Sequence, residues 1–399
     1  MIFTEIIFWI FGSSVFLYLA MIAIITRGYV SGTRLYSRKD SSKKLQEGFP
    51  VQYGEQKRKI ISVIIPVRNE SANIIPLLED LSSQDYPADY LEIIIADDFS
   101  EDGTIESARQ WIVDKKKGNV ILVDCHPGPA DCHGKKNAIE RAFAISKGEL
   151  VITSDADTRH STSWVSEMAT AFSCDKVQMV LGPVGFPEEN SLFQKIQSLE
   201  LLGIMGVTAG SAKQGFPLMC NGANLAYRSQ AFRDVKGFTG NYSFHSGDDQ
   251  FLMMKFRKRF RGGSIIFLSE KAAIATTSPS NSWYEFYQQR LRWVSKSRGY
   301  RDPMVIVAGL LTYGQFVLIF AGLAGSFFNP VLLLCAGLTW FLKIVSEYPL
   351  VRMAAGFYGK KKLLKYYLVA QVFQFVYVIV TGLAGQFVTF SWKGRTFRR

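Results

Sequence analysis

The chain has 399 residues and a mass of 44.9 kDa, 48% of its residues are apolar, and 46 Lys and Arg against 34 Asp and Glu give a formal charge of +12 with a mean hydropathy of +0.09. The apolar content excludes a disordered chain, and the scattered glycines exclude collagen. Five cysteines are too few for a secreted disulfide scaffold and, being odd in number, fit reduced thiols in a cytosolic catalytic mass. Positive hydropathy beside so much positive charge requires the two to be segregated along the chain, as membrane spans with basic flanks do.

Residues 6–26 are apolar for long enough to cross a hydrocarbon core. Glu5 precedes this run, and Arg27, Arg34, Arg38, Lys39, Lys43 and Lys44 follow it, which is the reverse of a cleaved signal peptide. Basic flanks stay inside, so the pattern predicts an anchor over 1–27 with its N-terminus outside, a basic juxtamembrane linker over 28–59 and a cytosolic domain over 60–280.

Within that domain strands and helices alternate. Ile60 to Val67 reads as a strand, then a helix over Ser71 to Ser83 with Ser71 as cap, a strand over Leu91 to Ala96 and a helix over 103–116. A strand over 119–124, a helix over 135–147 and a strand over 149–154 follow. This predicts an α/β fold with a mostly parallel, doubly wound sheet, whose ligands bind beyond the carboxyl ends of the strands.

Those ends read Pro66-Val-Arg-Asn-Glu70, Asp97-Asp98-Phe-Ser-Glu-Asp-Gly-Thr104 and Ser154-Asp155-Ala-Asp157. One such end would be ordinary turn chemistry; three in succession point to a site. Asp155 and Asp157 are spaced to turn two carboxylates to one side of an extended turn, where they can hold an oxygen-seeking divalent cation that bridges a diphosphate. No G-x-G-x-x-G follows the first strand, which leaves a dinucleotide fold little support, and Gly128 to Lys136 departs from a phosphate loop in spacing and in its final residue. Lys135 opens a helix and is a candidate diphosphate contact. Cys125-His126 and Cys132-His133 are ligand-type pairs, but their spacing matches no common zinc finger.

Further on, Phe216 to Tyr227 contains a small polar bend with Asn221, Gly222 and Asn224. His245-Ser-Gly-Asp248-Asp249 precedes a helical run from Gln250 to Phe260. Acidic residues suit a helix start, and one of them near an acceptor hydroxyl can also act as a general base. Residues 255–261 read as a basic, aromatic surface helix near lipid headgroups. Gln289-Arg-Leu-Arg292-Trp293 lies on a predicted interfacial helix over 281–303, where Arg292 can neutralise a diphosphate and Trp293 can stack on a sugar. Apolar runs return over 304–325, 327–342 and 366–390, giving about three spans over 304–390, the middle one short and followed by Lys343 and Glu347. The tail over 391–399 is basic, although three full spans would carry it outside; a re-entrant or interfacial run would reconcile the two. Much of the basic excess sits beside these spans, so anionic inner-leaflet lipid accounts for it better than nucleic acid does.

This set of residues resembles the inverting, membrane-integrated family 2 glycosyltransferases, which include cellulose, hyaluronan and poly-N-acetylglucosamine synthases and ceramide-type glucosyltransferases. The resemblance runs from about Ile61 to Trp293, with the motifs in family order. It implies a GT-A type nucleotide-sugar-binding fold in which Pro66, Arg68 and Glu70 belong to the strand end at the nucleoside, Asp98 is the uridine-binding aspartate and Lys135 is a diphosphate-side lysine. Asp155 and Asp157 are then the D-x-D that binds Mg or Mn. Asp249 is the catalytic base of an acidic pair, here Asp248-Asp249 rather than Glu-Asp, and Gln289, Arg292 and Trp293 match Q-x-x-R-W. Cys220-Asn221-Gly222 is similar to the acceptor-site Cys-Gly segment of cellulose synthases, with Asn221 in addition. The implied reaction is a single displacement from a UDP-sugar, with Asp249, Asp157 and Arg292 at the reacting centre, at the cytosolic face of a multi-pass inner-membrane protein. The acceptor is a membrane lipid or a growing glycan. Four spans favour the lipid, or a channel completed by an export or accessory subunit. The alternatives are a processive polysaccharide synthase subunit and a catalytically silent nucleotide-binding scaffold.

Overall fold

The computed structural model describes residues 2–35, 59–125, 134–244, 246–260, 262–385, 387–393 and 395–397. In chain order these form α1 (Ile2–Leu35), β1 (Ile61–Val67), α2 (Ile74–Ser82), β2 (Leu91–Asp97), α3 (Thr104–Lys115), β3 (Val120–Asp124), α4 (Lys135–Ile145) and β4 (Leu150–Thr153). Next come α5 (Trp164–Thr170), β5 (Met179–Leu181), β6 (Val184–Gly185), α6 (Leu192–Lys213), β7 (Leu225–Arg228), α7 (Ser229–Asp234), α8 (Asp248–Arg259), β8 (Ile265–Phe267), β9 (Ala275–Thr276) and α9 (Trp283–Ser295). The chain then runs through α10 (Pro303–Gly325), α11 (Pro330–Phe357) and α12 (Tyr367–Ala384) to a hairpin of β10 (Phe390–Trp392) and β11 (Arg395–Phe397).

The central sheet has the order β3-β2-β1-β4-β7-β5-β8, parallel throughout except that β7 runs antiparallel to β4 and β5. β1 and β2 are buried over their length because both faces are covered, which is why they read as continuous apolar runs rather than alternating ones. Val63, Ile65 and Val67 pack with α2, α3 and α5 on one face. Ile64, Ile94 and Val151 face the other, against α4, α6, α8 and Ile25 and Tyr29 of α1. The mostly parallel doubly wound sheet expected from the alternation is therefore present.

One predicted boundary is corrected. The first helix of the domain begins at Ile74, and Ser71 does not cap it; the Ser71 backbone N–H donates instead to Asp102 Oδ2 at 2.9 Å. The Asn69 and Glu70 N–H groups likewise donate to Ser100 Oγ and Thr104 Oγ1. The β1 and β2 ends are thus tied together through side-chain oxygens, and that tie displaces the cap.

Among the described residues, four helices are long and apolar enough to cross a membrane: Phe8–Ser31, Pro303–Gly325, Pro330–Phe357 and Lys361–Ala384. The middle C-terminal run extends well beyond residue 342. Its charges do not end it, because Lys343 is buried and donates to Glu347 one turn on and to Gln371 and Gln374 of α12. α1 crosses α6 at van der Waals distance. A Cβ on Gly28 would lie 2.3 Å from the Gly210 carbonyl oxygen, and one on Gly210 would lie 2.3 Å from that of Ile25, so only glycines permit this contact of membrane helix and domain.

Two surface expectations also change. Lys255 donates to the Gly237 and Thr239 carbonyls at 2.7 Å each and Arg257 pairs with Asp302 at 2.9 Å, so this part of the 255–261 stretch braces the domain internally; Arg261 lies outside the described residues. The C-terminal hairpin packs near α9, and Lys393 forms an ion pair with Glu70, which brings the tail back to the carboxyl edge of the sheet.

Candidate active site

The ends of β1, β2 and β4 and the start of β7 meet at one edge, because the register sets Val67 beside Asp97, Ile64 beside Thr153, and Thr153 beside Leu225. The antiparallel β7 is what brings Asn221 and Gly222, which precede it, to the edge where Asp155 follows β4. Pro66, Arg68, Glu70, Asp98, Lys135, Asp155, Asp157, Asn221, Gly222, Asp248, Asp249, Gln289, Arg292 and Trp293 all line one cleft of about 220 Å³ at this edge, whereas Asn224 and Cys220 do not. The residues at the β1 and β2 ends are already engaged within the protein. Arg68 spends its Nη1 on the Asp98 and Phe99 carbonyls, at 2.6 and 2.7 Å, and so clamps two strand ends together. Asp98 Oδ1 accepts the Gly134 N–H at 3.0 Å, just before α4, while Glu70 takes Asn73 and Lys393.

Opposite charges are interleaved on the cleft floor. Lys135 Nζ lies 2.6 Å from Asp155 and 3.2 Å from Asp248. Burial opposes its charge, but Asp155 and Asp248 outweigh that and hold it well above the ordinary lysine range. Asp248 is itself held low: burial would raise it, and Lys135 and Lys136 overcome the penalty. Asp249 stands at the α8 N-terminus, its Oδ2 accepting the Gly222 N–H at 3.1 Å and its Oδ1 the Gln250 N–H at 2.7 Å, with Lys296 at 3.6 Å. Backbone N–H groups at the start of α8 and in the Gly222 bend therefore occupy part of this carboxylate, and Lys296 lies beside it. Arg292 is enclosed by the cleft, where burial lowers its pKa and the carboxylates of Asp155, Asp248 and Asp249 act against that. At Gly222 a Cβ would sit 3.1 Å from Lys135 Nζ and 3.3 Å from Asp248 Oδ2, so a bulkier residue would intrude on the charged floor.

Asp157 keeps solvent-exposed surface, yet the surrounding protein, followed by Asp155 and Glu70, pushes its carboxyl up to about 6. A carboxyl raised in this way beside a second carboxylate is a donor set that a divalent cation relieves. Among the described residues no group of three or more His, Cys, Asp or Glu is arranged to hold a metal. A cation at Asp155 and Asp157 would therefore fill its shell with ligand oxygens and water, which fits a diphosphate partner. Of the other metal candidates, Cys125 is a buried free thiol pushed up to about 12 by burial, and His126, Cys132 and His133 lie outside the described residues.

Several positioning residues escaped the sequence reading. Lys136, one residue past Lys135, is buried and donates to the Asn241, Phe244 and Ser246 carbonyls, fixing the loop that leads into Asp248. Lys296 follows Arg292 by one helical turn, a spacing that was available as a signal. Asn224 turns out to be structural: its amide bonds Trp164, Pro183 and Ala273, away from the cleft. Behind the Asp155 loop, Ser154, Thr158 and His160 share hydrogen bonds of 2.7–3.0 Å, and His160 stacks on Trp164.

Burial lowers the His160 pKa to about 3, below its ordinary value of about 6.5, so between those values the unfolded chain binds the extra proton. Its contribution to stability is complete above about pH 6.5 and is lost as pH falls toward 3. His160→Gln is expected to flatten the decline in thermal midpoint between pH 7 and 4; equal slopes for the two proteins would contradict this.

Comparison with known proteins gives a consistent picture. The model of Glycosyl transferase family 2 matches residues 62–236, and that of Glycosyl transferase family group 2 matches residues 150–388. Glycosyltransferase AglE of Haloferax volcanii is 32% identical over 130 residues, which cover 33% of this chain and 41% of the relative. An undecaprenyl-phosphate 4-deoxy-4-formamido-L-arabinose transferase of Edwardsiella ictaluri is 27% identical over 44% of this chain and 51% of its own length. The chain thus spans about half the length of these curated relatives. A mannosyltransferase of Pyrobaculum calidifontis, solved with GDP-Man and Mn2+, shares the fold at 18% identity and a TM-score of 0.54, covering 93% of this chain and 99% of that one.

Proposed function

The chain belongs to Glycosyl transferase family group 2, and from that membership we propose that it is an inverting glycosyltransferase moving a sugar from a nucleoside diphosphate donor, a UDP-sugar, to an acceptor carried by a membrane lipid. One observation supports this above others: Asp155 and Asp157 share a cleft with Lys135 and Arg292, and Asp249 lines the same cleft. A diphosphate-binding end and a proton-accepting end thus face one space.

Lys135 and Arg292 offset the charge that accumulates on the departing diphosphate. Asp155 and Asp157 would hold Mg or Mn, which supplies further charge neutralisation at the leaving group. Asp249 takes the proton of the acceptor hydroxyl as its oxygen attacks the anomeric carbon from the opposite face, and the configuration inverts. Trp293 offers a ring face for the sugar. Mn2+ in the Pyrobaculum calidifontis mannosyltransferase and undecaprenyl-phosphate in the names of two relatives support the metal and the lipid-borne acceptor.

The same reading places the cleft on the cytosolic side. α1, α10 and α11 would cross the bilayer. α12 would lie obliquely, since Tyr367 bonds the Ile344 carbonyl, Gly385 meets Val294 of α9, and Lys393 reaches Glu70 on the catalytic side. This accounts for a basic tail that three full crossings would have exported.

Calorimetric titration of the full chain with UDP tests the donor half. Mg or Mn is expected to strengthen binding, and EDTA or Asp157→Asn to weaken it by about tenfold or more. UDP binding that ignores both would overturn the metal assignment.

A further inference from the structure

A second cavity, of about 440 Å³, lies among α1, α6, α10, α11 and α12. We propose that it seats the hydrocarbon tail of the acceptor lipid, with the lipid's reacting group delivered to Asp249. This rests on the transferase reading and adds to it the acceptor's tail site.

The cavity adjoins the catalytic cleft: Ile204 and Lys296 line both, and Lys296 is the residue that pairs with Asp249. Its volume falls within the roughly 300–1,000 Å³ of small-molecule sites. Along its α1 and α10 walls Tyr18 bonds Glu347, Gln315 bonds Ser14 Oγ at 2.9 Å, and Phe316 and Ile319 are buried. At the side, Gly309 lines the cavity and is exposed on α10, one of the helices long and apolar enough to cross a membrane.

The polarity of the walls selects the occupant. The charged and amide side chains along the lining are partnered within the protein. Glu347 and Gln371 are bound to each other and, with Gln374, to Lys343; Glu200 is held by Arg290 and Tyr377, and Gln250 by the Leu218 carbonyl. The rest of the lining is mostly aliphatic and aromatic carbon; the polar exceptions include Lys296 beside the cleft and the Tyr313 hydroxyl, which has no hydrogen-bond partner among the described residues. A sugar chain would bury most of its hydroxyls there without partners, at a cost a hydrocarbon tail avoids.

The test uses full-length protein in lipid nanodiscs and a long-chain alcohol carrying a diazirine in its chain, with labelled peptides identified after photolysis. Labelling is expected on α6, α10 and α12 at cavity-lining residues. Ala308→Phe and Gly203→Phe, which fill the cavity from two different helices, should each reduce it by about tenfold. Leu310→Phe, on the lipid-facing side, should leave it unchanged, and metal-dependent UDP binding should persist in all three variants. Labelling confined to the outer helix faces, or unaffected by both filling variants, would overturn the tail site while leaving the transferase reading in place. Wild-type protein that binds no nucleotide would instead overturn the transferase reading.

Discussion

Asp249→Asn is expected to lower sugar transfer by about 10²–10⁴-fold, the range a positioned general base contributes, with little change in metal-dependent UDP binding. Asparagine keeps an oxygen for the Gly222 N–H that Asp249 accepts at 3.1 Å, so the loop and the α8 start should hold. What is lost is the charge beside Lys296 and the ability to take a proton. The proposed metal ligands Asp155 and Asp157 are unchanged by the substitution. Transfer that survives Asp249→Asn would mean that the carboxylate only caps α8, or that the acceptor oxygen arrives already ionised.

The second large effect concerns Arg290, which lies between Gln289 and Arg292 in the sequence, borders the cleft, and turns its guanidinium toward Gln289 and α6. Its guanidinium meets Glu200 of α6 in a two-pronged ion pair, stacks over Phe286 and Trp293, and shares Glu200 with Tyr377 of α12. Glu200→Gln leaves this buried cation without its counter-charge, and breaking one partner of such a pair costs about 3–5 kcal/mol. The melting midpoint of the detergent-solubilised protein should fall by several degrees. Transfer should fall with it, because α9 carries Arg292 and Trp293 into the cleft. The paired change Arg290→Met with Glu200→Leu should recover most of the stability, since apolar packing can replace a buried pair. A midpoint unchanged in Glu200→Gln would show the pair to be idle.

The strand ends were legible because doubly wound sheets concentrate ligand chemistry there. Asp98, Asp155 and Asp157 could be found from an apolar run followed by acids. Lys136 and Arg290 were not legible by that logic. Each sits beside a site candidate, and only the helix phase decides that Lys135 and Arg292 face the cleft while their neighbours face backbone carbonyls or Glu200. Ser71 failed as a cap because a distant side chain, Asp102, took its N–H, a competition no local pattern reveals. The short middle span was misjudged for a related reason: Lys343 and Glu347 looked like a terminus, but each finds its partners inside the bundle. α6, which joins the cleft to the membrane helices, was not singled out, and its contact with α1 depends on Gly28 and Gly210, whose importance appears only when two backbones are seen to touch.

Transfer of a sugar to a lipid-borne acceptor in this cleft can be measured directly. Purified full-length protein in vesicles is given Mg or Mn and a panel of radiolabelled nucleotide sugars, and the product is recovered by organic extraction. A metal-dependent, discrete labelled lipid that disappears in Asp249→Asn is expected. A high-mass aqueous polysaccharide, or metal-dependent nucleotide binding with no transfer from any donor, would contradict it.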